Sequence, residues 1–277
     1  MIYLEPKRFL EIIQYQTKLK SIIMKTLTKI VILLLLMVSI SCNTESTEDI
    51  VLDPSAIEIE NFEGDFEAKD FEALEAIEFS EKHGNHRRYF SFSKADVINP
   101  ILGLTTGKSK LIRGRRGVFT RYRSNNLTPG HAYTLWWVIW NRPENCAIPE
   151  ECADTDFPNP NVEVEVLFAG SGRVIGRNGK GTFYGRLKTG DDSESVNHLF
   201  GLPPAGGLQK GNTFPAEVHL VLRSHGPAIP EMVDEQIGGY LGGCPQSPPY
   251  GFLPFTEIPD AVGECGDIEF SIHAPVN

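Results

Sequence analysis

The sequence predicts an all-β domain, an antiparallel β-sandwich or barrel, preceded by a lipoprotein signal peptide and an acidic linker. Three observations predict it. From residue 86 onward, short apolar or alternating runs follow one another between turn residues. Upstream, an apolar run of about eleven residues ends at a cysteine, too short for the roughly twenty that cross a bilayer. Between them lies a stretch whose charges are almost all negative.

The signal is read from Met24 to Cys42. Lys25 and Lys29 precede the apolar run Ile30–Ile40, and Ser39-Ile40-Ser41-Cys42 resembles a bacterial lipobox, with Ser39 where that motif usually has Leu. Cys42 is the expected lipidation site and mature N-terminus, and residues 1–23 read as an over-extended start. The expected divisions are therefore 1–41 as signal peptide, 42–85 as lipidated cysteine and linker, and 86–277 as one β domain. The segment after Cys42 resembles the acidic tether of surface lipoproteins of the Bacteroidetes type. That likeness implies an outer-membrane lipoprotein facing the periplasm or the cell surface. Acidity continues from Glu58 to Glu78 with Lys69 nearly its only counter-charge. Such a stretch extends as a spacer, although Phe71, Leu74 and Ile77 also permit one short amphipathic helix that docks on the domain.

In the domain, the expected strands are Tyr89–Ser93, Gly117–Arg123, His131–Trp140, Val162–Ala169, Gly181–Leu187, Glu217–Ser224 and Asp267–His273. Turn signals at Thr128-Pro129-Gly130, Asn178-Gly179, Pro203-Pro204 and Gly242-Gly243 separate them. Four cysteines remain once Cys42 is assigned to lipid. An even number in an exported domain reads as two disulfides. Of the three pairings, Cys146–Cys152 and Cys244–Cys265 each close an irregular loop and are preferred. A metal site is not expected, because close C-x-x-C spacing is absent.

The segments HAYTLWWVIWNRPENC (131–146), GRVIGRNG (172–179) and EVHLVLRSHGPAIP (217–230) resemble parts of a recurring group of exported bacterial β-domain proteins without an established activity. The likeness spans roughly residues 115–275 and implies a secreted setting and a domain boundary, not a mechanism. A looser resemblance, limited to His225-Gly226-Pro227 after a strand, is to the CHRD domain of secreted proteins.

Alternation on the strand from Glu217 puts Val218, Leu220 and Leu222 on one face and Glu217, His219, Val221, Arg223 and His225 on the other. A straight strand keeps His219 and His225 about 20 Å apart, so they cannot share a metal. If this strand pairs antiparallel with His131–Trp140, and a hairpin joins Arg123 to His131, then Arg121, Arg123, His131, Tyr133, Arg223 and His225 converge. Such a cluster binds an anion or does acid–base work; the alternative is structural pairing with Glu163, Glu165, Asp234 and Glu235. Trp136 and Trp140 share a face with Val138, forming either a stacking platform for sugar rings or part of a core. The basic stretch Lys108–Arg116 reads as a solvated loop that pairs with the acidic linker, or as a contact for anionic lipid or polysaccharide. His83-x-x-His86 lacks a matching carboxylate and carries no assignment.

The net charge of −10 excludes a nucleic-acid partner. No Gly-x-Ser-x-Gly elbow or phosphate-binding glycine loop occurs. The expected protein is a lipid-anchored binding or structural domain with no cofactor and a membrane partner through its lipid. Its ligand is not identified by the sequence, an anion or a carbohydrate being the candidates; the alternatives are a carbohydrate-binding module using Trp136 and Trp140, or an enzyme with acid–base or metal chemistry at the His131/His225 end. Replacing Cys42 with Ala should release the protein from the membrane fraction or leave it unprocessed; unchanged membrane attachment, read by fractionation, would refute lipidation there.

Overall fold

A computed structural model describes residues 68–81, 90–244 and 262–276. Cys42, the signal segment and the His83/His86 pair lie outside the described residues. The elements are α1 (Ala68–Glu81), β1 (Ser91–Asn99), β2 (Leu104–Gly114), β3 (Gly117–Ser124), β4 (His131–Trp140), β5 (Val164–Val174), β6 (Gly181–Lys188), β7 (Glu217–Pro227), α2 (Val233–Gly238) and β8 (Gly266–His273). The strands form one sheet of eight in the order β5-β4-β7-β8-β1-β2-β3-β6, every pair antiparallel, nearly closed into a barrel. No helix among the described residues is long and apolar enough to cross a membrane.

Closure depends on a small residue where the two edge strands meet. A Cβ on Gly185 of β6 would lie 3.0 Å from the Trp137 ring and 3.1 Å from Ala169 of β5. The Tyr184 amide donates to the Ser171 hydroxyl across the same seam at 3.3 Å.

One expected boundary was wrong in kind. Lys108–Arg113 is not loop but most of β2, which pairs with β1 and β3 throughout. Its strand period was hidden because inward positions carry Ser109 and Arg113 beside Leu111, while the outward ones carry Lys108 and Lys110. The hairpin expected between β3 and β4 is also absent, because β2 and β6 occupy the two edges of β3.

The interior is filled by the alternate residues Leu135, Trp137 and Ile139 of β4 and Val218, Leu220 and Leu222 of β7. Polar groups close its ends. Arg113, fully buried, donates to the carbonyls of Thr213, Ala216, His273 and Ala274 at 2.9–3.0 Å, and burial lowers its pKa to about 10. It thereby ties β2 to the approach of β7 and the end of β8. Glu269 accepts from Ser124 at 3.0 Å, and burial pushes its carboxyl up.

Helix α1 docks on the outside of β2, β3 and β6. Phe71 and Leu74 are buried, and the Phe71 ring packs 6.0 Å from that of Tyr184. Glu75 binds Lys110 at 3.3 Å and Arg121 at 2.8 Å. The pairing of the basic stretch with the acidic linker is thus present, but as a helix packed on a strand. The register sets Lys94, Lys110 and Arg121 side by side on three strands. Like charges so placed repel, and Glu75 offsets that repulsion.

His273 lies between the Ser93 hydroxyl at 2.8 Å and that of Ser109 at 2.9 Å. Burial, with the charges of Arg113 and His219, lowers its pKa to about 3. The folded protein therefore keeps the ring neutral while the unfolded chain protonates it below about pH 6.5. Its stabilising contribution is intact above that pH and is lost as pH falls toward 3, by about 1.4 kcal/mol per unit. The unfolding free-energy gap between the wild type and His273→Gln, measured by denaturant titration, should shrink by about 2 kcal/mol from pH 6.5 to 4.5. A gap constant with pH would contradict this.

Candidate functional site

All ten residues of β4 are buried. Trp136, Val138 and Trp140 point outward, as their alternation requires, yet Trp136 is 2 % and Trp140 1 % exposed. Of the two readings of this face, part of a core is the one present, and an exposed sugar-stacking platform is absent. The β4–β5 connection, the 195–202 segment and the Tyr240 loop lie over them. Between this cover and the sheet remains a cleft of about 350 Å³ on the outer face of β4, β7 and β8.

The β4–β5 connection is held by the Cys146–Cys152 disulfide and by Asp156. Asp156 accepts from the backbone amides of Ala147 at 2.7 Å and Ala153 at 2.9 Å. Asp154 and Phe157 are thereby set at the cleft.

The cleft has two chemically different ends. At one, Trp136 and Phe200 each meet the Tyr240 ring edge-on, with centroids at 4.9 and 5.2 Å. The Arg223 guanidinium lies 3.9 Å from the same ring, donates to the Tyr240 carbonyl and hydroxyl, and pairs with Asp267 at 2.9 Å. Burial pushes the Asp267 carboxyl up, against the pull of Arg223.

At the other end, Trp140 packs 5.0 Å from Phe157 and 5.8 Å from His219. Behind His219 lies Glu217, fully buried, whose Oε1 receives His219 Nε2 at 2.5 Å and the Cys152 amide at 3.1 Å. A carboxylate only accepts, so Nε2 donates to it, and Nδ1 makes no hydrogen bond among the described residues. Asp154 stands on the rim. Desolvation raises its carboxyl, the Asp267 charge adds to this, and the His219 charge opposes it.

The residues singled out from sequence are divided among separate places. Arg121 is bound to Glu75 under α1, and Arg123 is exposed on the same outer face of β3, opposite Lys108. Tyr133 is in the barrel core, its hydroxyl accepting from the Thr128 amide at 3.0 Å, and His131 stacks on its ring. Arg223 and His225 lie on the outer face of β7, which does pair antiparallel with β4, His131 standing opposite Pro227. Because β3 is not beside β4, the expected cluster of six does not assemble. Its expected structural partners differ too: Arg121 pairs with Glu75 and Arg223 with Asp267, while Glu163 lies 3.5 Å from Arg142.

His225 is sealed. Its Nδ1 donates to the Gly242 carbonyl at 2.8 Å and its Nε2 accepts from Thr134, which in turn accepts from the Trp136 indole at 2.8 Å. Burial first, then the Arg223 charge, lowers its pKa to about 3. Its ligating atoms and those of Cys244 and Cys265 lie within 4.8 Å of one another. The two sulfurs are joined as a disulfide, as the second pairing required, and offer no thiolate to a metal.

Glu217, Asp154, Tyr240 and Asp267 were not foreseen as site residues. The one sequence signal for any of them is Glu217 two residues before His219, which puts both on the same strand face. Removing one member of a buried ion pair typically costs about 3–5 kcal/mol, whereas replacing both with apolar groups is often near neutral. Arg223→Met should therefore lower unfolding stability by about that amount, and Arg223→Met/Asp267→Leu should recover most of it. Equal losses in the two variants, measured by denaturant titration, would show that the charges do not act as a pair.

Comparison of the chain with family models, curated proteins and solved structures finds no match.

Proposed function

We propose that this chain is an exported lipoprotein whose β domain binds a small, largely apolar ligand in the cleft over β4 without transforming it. The observation that carries the reading is the cleft itself, about 350 Å³ in volume and walled by Trp136, Trp140, Phe157, Phe200, Tyr240 and Phe270. Small-molecule sites are concave, mostly apolar and about 300–1,000 Å³ in size, with a few placed polar groups. Two disulfides favour an oxidising compartment and so the exported setting.

A sugar fits less well. At the Tyr240 end hydroxyls would find no free hydrogen-bonding partner, because the Trp136 indole serves Thr134, and Arg223, Asp267 and Tyr240 serve one another. A catalytic reading meets the same obstacle at His225, both of whose nitrogens are engaged.

The neutral fluorophore N-phenyl-1-naphthylamine tests the reading. It should bind the full chain saturably and quench tryptophan emission, since Trp136 and Trp140 line the cleft. Ile272 is 42 % exposed at the cleft edge. Ile272→Trp should fold normally and weaken the probe about tenfold by occupying its space. No saturable binding, or binding indifferent to Ile272→Trp in a variant that melts like the wild type, would overturn the proposal.

A further inference from the structure

We infer that the ligand of this cleft carries a primary ammonium group, seated in the corner made by Asp154, His219, Trp140 and Phe157. The inference rests on the proposed binding role and names the chemistry the cleft selects. It starts from which polar groups remain available there.

Arg223 is committed to Asp267 and Tyr240, and Asp267 receives both. Glu217 is committed to His219 and the Cys152 amide. What remains at the lining is the Asp154 carboxylate, His219 Nδ1 and the buried Trp140 indole N–H, which has no hydrogen-bond partner among the described residues, with the Thr155 hydroxyl beside them. The Asp154 carboxylate offers the cleft an acceptor. A ligand group that meets it must donate a hydrogen bond.

Charge points the same way. The Asp154 carboxylate lines the cleft with Asp267, whose charge acts on it, and with His219, whose charge opposes that effect. A cation entering the corner pairs with Asp154, and an anion meets it as a like charge. The aromatic walls agree: Trp140 and Phe157, at 5.0 Å from each other, present rings whose faces attract an ammonium. Its apolar body would extend along the floor past Val138 and Val221, toward Trp136 and Tyr240.

Three isosteric probes separate the claims: 4-phenylbutylammonium, 4-phenylbutanol and 4-phenylbutyrate, titrated calorimetrically into the full chain. An ion pair at an open rim together with a cation–π contact amounts to about tenfold in affinity. The ammonium should therefore bind about tenfold tighter than the alcohol, and the carboxylate weakest. Asp154→Asn should bring the ammonium-to-alcohol ratio close to one. Glu151→Gln, which removes an exposed carboxylate from the same connection, should leave the ratio unchanged.

If alcohol and ammonium bind alike, or the carboxylate binds best, the ammonium assignment falls while the cleft reading stands. An equal loss of preference in Glu151→Gln would also overturn it, by showing that diffuse charge suffices. If none of the three binds, the cleft reading falls and the assignment with it.

Discussion

Burial of β4 on both faces is the constraint on which the rest of the structure depends. A strand in an antiparallel barrel ordinarily shows one face to water. Here the inner face of Leu135, Trp137 and Ile139 fills the barrel, and the outer face of Trp136, Val138 and Trp140 is equally apolar. Leaving two indoles and a valine in water would forfeit about 25 cal/mol for each Å² of apolar surface. The chain therefore spends the long β4–β5 connection, the 195–202 segment and the Tyr240 loop on covering them. Both disulfides lie in this cover or at its edge, where irregular backbone has few ladder hydrogen bonds to hold it.

Cover over a sheet that also carries charge creates a second demand. The outer face of β7 presents Glu217, His219, Arg223 and His225, and three of these are 0–1 % exposed. A buried charge or polar group without a partner is costly, and each here has one. Arg223 is met by Asp267 and Tyr240, Glu217 by His219 and an amide, and His225 by Thr134 and a carbonyl. The arrangement is asymmetric. At the Tyr240 end the network is closed on itself, whereas at the Trp140 end the Asp154 carboxylate retains acceptor capacity. That asymmetry is what the proposed recognition corner rests on.

On the opposite side of the barrel the same electrostatic logic runs outside the fold's interior. β1, β2 and β3 place cations in register, and α1 brings Glu75 to two of them while Phe71 and Leu74 bury beneath it. The acidic segment before the barrel is thus in part a structural element, with apolar anchors supplying the contact and the ion pairs its placement.

The β class, seven of the eight strands, both disulfide pairings and the inward and outward sorting of β4 and β7 were legible in the sequence. Those features are local: a period of two, a turn residue, and cysteines across a short loop all act over a few neighbouring positions. β2 escaped because Arg113 and Ser109 stand where apolar residues mark an inner face, and only the ring of carbonyls around Arg113 makes that placement tolerable. The site escaped for a different reason. Which strands are neighbours is a long-range property: β3 turned to β6 rather than β4, and Arg121 and Arg123 went with it. Asp154 comes from a connection and Asp267 from the last strand, more than a hundred residues on. Alternation on a strand told which side chains share a face, but the distant segments that came to cover that face decided which were sealed and which line the cleft.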